Sequence, residues 1–342
     1  MVVRPDQEIL STYFQRLSGT SPTTVTPIES HASARRIYRL QSGSTSVVGV
    51  LNDNSAENDS FVYLARFFRS AGLPVPEIFL YEKTQGCYLE EDLGELTLLE
   101  HLQRTPTASS QDTQRSSSLH LYTVALNYLV EFQIVHGRAV EFSQWYTDSS
   151  FAGDAFESDV QLFASRFVTP VLPSFDIHSL DGDFAQIQRY VSEQPGDFFL
   201  YRDFQARNIM VRGETLAFLD FQGARRGPLQ YDVASLLYQS SAALSPSERS
   251  HLFDHYIERA HAIHPLNESA FRASMPYFVL TRMLQVLGIY GVEGLGAQKP
   301  YFVRNIPVAL NTLKEHLSRE PLKGILPRLE ACVNALCDQP LP

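Results

Sequence analysis

The stretch from residue 198 to 222 constrains the fold more than any other part of the chain. Phe198-Phe199-Leu200-Tyr201 reads as a short strand that delivers the loop Arg202-Asp203-Phe204-Gln205-Ala206-Arg207-Asn208. A hairpin follows, IMVR at 209–212, the turn Gly213-Glu214-Thr215 and LAFLD at 216–220, so its second strand ends on Asp220. These β segments interrupt a region that is otherwise helical. Candidate helices cover 119–136, 155–168, 180–194, 230–243, 246–263, 268–290, 305–318 and 326–337. The one at 246 opens on Ser245-Pro246-Ser247-Glu248, an N-cap, a first-turn proline and a capping acid.

The N-terminal part has a different texture. Residues 1 to about 18 carry Ile9, Leu10, Tyr13, Phe14 and Leu17 at helical spacing. VTPI, RRIYRL and TSVVGVL are short β-rich runs separated by Ser, Gly and Asn. Residues 56–71 return to a helix, with Phe61, Leu64, Ala65 and Phe68 on one side and Gly72 as its stop. EIFLYE and GCYLEEDL then form two more strands around Lys83-Thr84-Gln85-Gly86. The expected architecture is α+β, with a small β-rich lobe over residues 1–95 and a larger, mainly helical lobe over 96–342. Residues 104–118, rich in Ser, Thr and Gln, read as a mobile loop.

Composition narrows the partners. The 342 residues hold 28 basic and 38 acidic side chains, a net charge of -10, which argues against nucleic-acid binding. Cys87, Cys332 and Cys337 are odd in number and lack metal spacing, as expected of a reduced, cytoplasmic protein. The start MVVRPDQEIL has no apolar run of the signal-peptide kind. The most apolar long segment, Leu119–Val135, is broken by His120, Asn127, Glu131 and Gln133 and reads as a buried helix rather than a membrane span. Nothing sets an oligomeric state, and a monomer is compatible with everything above. Only four lysines occur, Lys83, Lys299, Lys314 and Lys323.

A lone Asp in a loop is usually a turn or cap residue. Here an Asn follows Asp203 by five residues, and a hairpin brings in a second Asp. Phosphoryl transfer needs this set: a carboxylate to take the proton of an attacking hydroxyl, and an amide oxygen with a second carboxylate to hold Mg2+ against phosphates. The expected roles are Asp203 as base and Asn208 with Asp220 as metal ligands. Oxygen donors without His or Cys favour a hard ion.

These residues resemble the aminoglycoside phosphotransferase and choline kinase family, relatives of protein kinases. The pattern D-x-x-x-x-N followed by the terminal L-D-F carries the likeness, and Tyr201 stands where the family usually has His. RDFQARNIMV, DFQGARRGPLQYDVASLL, LQVLGIYGVEGL and KPYFVRNIP look closest to bacterial kinases of the anomeric hydroxyl of N-acetylmuramate and N-acetylglucosamine. The resemblance spans roughly residues 25–315. It implies a bilobal protein-kinase-like fold with ATP in the cleft, Asp203 as catalytic base, Asn208 and Asp220 on Mg2+, and Asp232 bracing the catalytic loop alongside Tyr201. It places a phosphate-covering turn near His31-Ala32-Ser33-Ala34. The strand Ser46–Val50 should present a lysine in a protein kinase, and none exists here. Arg36 is the expected replacement, with Arg35 and Arg39 as neighbours. Glu57 resembles the ordering helix Glu, and Glu90, Glu91 and Asp92 resemble the adenine-binding hinge.

Further expectations concern the small-molecule acceptor. Gln205, Gln222, Arg225 and Arg282 are candidate sugar contacts, and Arg207 a contact to substrate or to the transferring phosphate. A strand-surface arginine at 36, a solvated helix start at Glu57 and ordinary surface arginines at 225–226 are the plain alternatives. Two other functions stay open: a kinase of an aminoglycoside, choline or homoserine-like substrate, and a non-catalytic nucleotide-binding pseudokinase.

Overall fold

Residues 5–29, 34–104, 111–142, 151, 155–242 and 244–340 are described by a computed structural model. The chain forms two compact units. The first comprises Met1–Tyr128, Ala139–Asp148 and Ala206–Ala224, and the second Leu129–Arg138, Ser149–Gln205 and Arg225–Pro342.

In the first unit, helix α1 (Pro5–Ser18) precedes strands β1 (Thr24–Ile28), β2 (Arg36–Ser42) and β3 (Thr45–Leu51). Helix α2 (Ser55–Ser70) leads to β4 (Ile78–Glu82) and β5 (Cys87–Glu91). The five strands form an antiparallel sheet in the order β1-β2-β3-β5-β4. Strand alternation divides its residues between two faces. Tyr38, Leu40, Val47, Leu51, Cys87 and Leu89 pack with Leu10 and Phe14 of α1. Gly49 permits this approach, because a Cβ there would lie 2.8 Å from both Leu10 and Leu40. Arg39, Val48 and Glu90 line up in one row on the opposite face.

Helix α2 starts where Asn54 accepts the Glu57 N–H at 3.2 Å. Phe61, Leu64, Ala65 and Phe68 are buried. The Phe61 ring lies 5.2 Å from Tyr88 and 5.0 Å from Phe221. The hairpin of β7 (Ile209–Arg212) and β8 (Thr215–Phe218) belongs to this unit. The Val211 N–H donates to the Leu96 carbonyl at 2.8 Å and the Phe218 N–H to the Pro74 carbonyl at 2.9 Å.

The second unit is mainly helical. Its long helix, Glu268–Tyr290, packs against Gln230–Leu237, Pro300–Leu317 and Phe156–Leu162. A Cβ added at Gly291, just past its end, would meet the Arg166 carbonyl at 2.3 Å, so backbone contacts backbone there. Strand β6 (Phe198–Leu200) pairs with β9 (Arg225–Gly227).

Several expectations change. Residues 111–118 begin the helix Gln111–Val130 rather than a loop, while residues 105–110 lie outside the described residues. That helix continues as a π-helical turn, Glu131–His136. The helix expected at 305 starts at Pro300 and tolerates Pro307, and the one expected over 230–243 stops at Leu237. Strand β9, Arg-Arg-Gly, has no alternating apolar signal and is recognised only through its pairing partner. Among the described residues one helix, Glu268–Gly296, is long and apolar enough to cross a membrane, and 67% of its apolar window is buried inside the protein. All three cysteines are free thiols.

Candidate active site

In the second unit, a buried carboxylate holds the loop that carries Asp203. Asp232 lies in the first turn of the helix Gln230–Leu237 and is fully buried. Its Oδ2 accepts the Tyr201 N–H at 2.8 Å and its Oδ1 the Arg202 N–H at 2.8 Å. Arg202 has φ 74, a conformation uncommon outside glycine, and the bond to Asp232 helps hold it there. Gln133 donates to Asp232 at 2.8 Å and accepts the Tyr256 hydroxyl at 2.6 Å. Burial pushes the Asp232 carboxyl up to about 7, against donors that favour its ionised form. Tyr201 anchors the same loop through its ring, edge-on to Phe132 at 5.5 Å and to Phe204 at 5.1 Å.

Asp203 itself is half-buried. Its Oδ1 accepts Gln205 Nε2 at 3.1 Å and Arg282 Nη2 at 3.3 Å. Arg282 also donates to Gln285 at 2.8 Å, and burial works against its charge while Tyr231 and Asp203 more than offset that. Arg202 pairs with Asp159 at 2.8 Å. Arg225, buried on β9, is lowered to about 10 by burial and by the like charge of Arg202.

In the first unit, hairpin register places Asn208 and Asp220 together. The ladder pairs Ile209 with Phe218, and the Leu219 N–H extends it to the Asn208 carbonyl at 3.0 Å. Asp220 is then the second residue past the strand, at φ 68. Asn208 Nδ2 donates to Asp220 Oδ2 at 3.1 Å, and Gln222 Nε2 to Oδ1 at 2.9 Å. Burial works to raise the Asp220 carboxyl, but Arg35, Gln222 and Arg207 hold it below the usual carboxylate range. Adjacent carboxylate and amide groups suit a hard ion such as Mg2+, which typically takes one or two carboxylates and completes its shell with water and phosphate. Among the described residues no cluster of three or more His, Cys, Asp or Glu could hold a metal.

The arginine beside Asp220 is Arg35. Arg36 enters the ladder on the α1 face and pairs with Asp6 at 3.0 Å and Asp53 at 3.5 Å. Arg35, one residue earlier, reaches Asp220 and lies 3.8 Å from Glu57. The period of two decides between them. Glu57 is therefore an ion-pair member and also accepts Asn52 Nδ2 at 3.0 Å.

The residues expected at the adenine edge lie on β5 and just after it. Strand β5 is interior, paired with both β3 and β4, and the Glu91 N–H is used by the Glu77 carbonyl. Glu90 and Glu91 thus lie within the ladder, and Asp92–Gly94 is the segment beyond it. Arg39 fixes that segment, donating to Asp92 at 2.7 and 3.1 Å and to the Gly94 carbonyl at 2.9 Å. Glu91 pairs with Arg69 and Arg212, and burial pushes Glu90 up to about 8. The turn expected at residues 31–33 lies outside the described residues.

Sequence reasoning missed Gln133, Asp159 and Arg202. Gln133 was visible as a polar residue in an apolar helix, the kind of buried amide that needs partners. Asp159 and Arg202 pair across 43 positions, and nothing local marks them.

Residues 24–266 match the phosphotransferase enzyme family, APH. The chain belongs to that family. It is 28% identical over 315 residues to an N-acetylmuramate/N-acetylglucosamine kinase of Pseudomonas aeruginosa, a match covering 88% of this chain and 86% of the relative. The kinase of the same description from Pseudomonas putida is 26% identical over 336 residues, covering 92% and 90%. Among solved structures, amicoumacin kinase hAmiN in complex with AMP-PNP and Ca2+ gives a TM-score of 0.64 at 13% identity, covering 94% of this chain and 96% of that one. Choline kinase LicA of Streptococcus pneumoniae gives 0.60 at 12%, covering 91% and 97%. These likenesses show the fold, which is protein-kinase-like with a small β-rich and a larger helical part. The chain is a small-molecule kinase.

Proposed function

We propose that this kinase transfers the γ-phosphoryl group of ATP to the anomeric hydroxyl of an N-acetylated amino sugar, in the recycling of cell-wall sugars. The supporting observation is that four curated relatives carry one description, N-acetylmuramate/N-acetylglucosamine kinase, across 68 to 90% of their lengths. We assign residues 1–95 to a nucleotide-covering lobe and 96–342 to a catalytic lobe, and place the enzyme in the cytoplasm as a monomer.

Asp203 orients the acceptor hydroxyl and takes its proton as the oxygen attacks phosphorus. Gln205 and Arg282 fix the carboxylate by holding Oδ1, so no reorientation is needed during transfer. Asn208 and Asp220 would hold Mg2+, which when bound supplies positive charge against that developing on the phosphoryl oxygens. Arg207 adds charge beside Asp220. Asp232 and Tyr201 keep the loop in shape through its backbone and ring. Gln222, Arg225 and Arg282 are the sugar-contact candidates, and Asp92–Gly94 is the segment for adenine. The three buried or half-buried arginines Arg202, Arg225 and Arg282 disfavour a cationic aminoglycoside or choline as acceptor.

Coupled ADP release with Mg–ATP tests this against N-acetylmuramate, N-acetylglucosamine, glucosamine, kanamycin and choline, beside Asp203→Asn. Turnover on an N-acetylated sugar, lost in the variant, is expected. Turnover confined to kanamycin or choline would overturn the sugar assignment. ATP binding without turnover on any acceptor would favour the non-catalytic module.

A further inference from the structure

The N-terminal sheet contains no lysine, and Lys83, the residue just past β4, is exposed and pairs with Asp59. A nucleotide triphosphate still needs a fixed cation. In the row Arg39, Val48 and Glu90, Arg39 is committed to Asp92, Glu95 and the Gly94 carbonyl. Arg35 is placed differently. Its side chain is 12% exposed, and it touches Asp220 Oδ1 and lies near Glu57 Oε1. Burial disfavours its charge, but Asp220, Tyr88 and Glu57 outweigh that and hold it charged. Glu90 adds a third carboxyl to this neighbourhood. Its Oε2 is buried without a hydrogen-bond partner among the described residues.

The state of Asp220 sharpens the point. Its Oδ1 accepts both Arg35 and Gln222, and its Oδ2 accepts Asn208. These donors use about three of the carboxylate's four lone-pair sites, both of those on Oδ1, so a metal ion bound through both oxygens displaces Arg35 or Gln222. Arg35 is the donor with another destination, because a planar guanidinium fits phosphate oxygens as well as it fits a carboxylate. It also lies one residue before the first ladder pair, Arg36 with Leu51.

We propose that Arg35 is an exchange residue, which yields Asp220 to the metal and transfers its guanidinium to the nucleotide's phosphates while Glu57 keeps it within reach. The proposal rests on the reading of Asp220 as a metal ligand. It gives Arg35 two opposite effects: competitor for the free metal and partner for the free nucleotide. A merely structural arginine would have neither sign pattern, since its loss would weaken both ligands together.

The test measures Mn2+ binding by electron paramagnetic resonance without nucleotide, and ATP binding by calorimetry in EDTA. Both are run on the full chain as wild type, Arg35→Ala, Arg35→Lys and Asp220→Asn. Arg35→Ala should bind ATP about 10-fold or more weakly, the range of a lost charged hydrogen bond, and bind Mn2+ about 3-fold more tightly. Arg35→Lys should fall between it and wild type for ATP, and it carries the test if circular dichroism shows the alanine variant unfolded. ATP affinity within about 2-fold of wild type, or parallel weakening of both ligands, overturns the proposal. So does a loss of ATP affinity that follows Arg36→Ala instead. Mn2+ binding by Asp220→Asn equal to wild type would sink the metal-ligand reading itself, whereas its loss beside an unresponsive Arg35→Ala would sink only the exchange.

Discussion

Two aspartates of this kinase are held in different ways. Asp203 sits in a loop fixed through its backbone, with Asp232 gripping the Tyr201 and Arg202 amides from a buried position, and Gln205 and Arg282 then steady one oxygen of its carboxylate. Asp220 is fixed through its own carboxylate, whose oxygens carry Arg35, Gln222 and Asn208. The difference matches the work proposed for each. A base must keep one geometry while a proton moves, so the loop beneath it is best fixed through peptide groups that do not exchange. A metal ligand must change partners, so its support is best made of side chains that can let go.

Variants can break or sharpen this contrast. The largest effect should come from Asp203→Asn, which lowers kcat by about 10^2- to 10^4-fold, the range of a general base, with ATP affinity unchanged by calorimetry. A parallel loss of ATP affinity would show that the two halves are not separable. Asp232→Ala strands three buried donors, at about 1–3 kcal/mol each, and should cost about 3–5 kcal/mol in urea unfolding. A cost under about 1 kcal/mol would mean that the loop holds its shape without Asp232.

The same carboxyl sets a pH dependence. Because burial raises Asp232 to about 7, the folded protein keeps its proton where the unfolded chain, near pH 4, has released it. Its contribution is therefore present below about pH 4 and is lost as pH rises through 7. Wild-type Tm should fall from pH 5 to 8 relative to Asp232→Asn, and matching slopes would exclude the effect. A smaller change is expected for Arg282→Ala, about 10-fold in kcat from one lost charged donor to Asp203. Tyr256→Phe should be smallest, about 1 kcal/mol of stability, since it removes one donor to Gln133 and leaves Asp232 bonded.

How much of this was readable in the sequence follows from what each feature depends on. Asn208 and Asp220 converge because hairpin register is a local property, visible in the alternation of IMVR and LAFLD. The sheet strands and the capped helix at Ser245 were readable for the same reason. Arg35 and Arg36 differ by a single step, and only the pairing of β2 with β3 decides which one faces α1. Gln133 was read as an interruption of an apolar helix, and its purpose depends on residues 99 and 123 positions away. The helix from Gln111 was hidden because Ser, Thr and Gln lack a strong periodic signal.

The first unit is assembled from three separate stretches, and its last, Ala206–Ala224, supplies the strands bonded to Leu96 and Pro74. On the ribosome, Asn208 and Asp220 emerge only after the segment Ser149–Gln205 of the second unit has left the tunnel. The sheet must therefore wait with Leu96 and Pro74 unbonded to the hairpin while other chain is made, a window in which chaperone capture competes with completion of the fold.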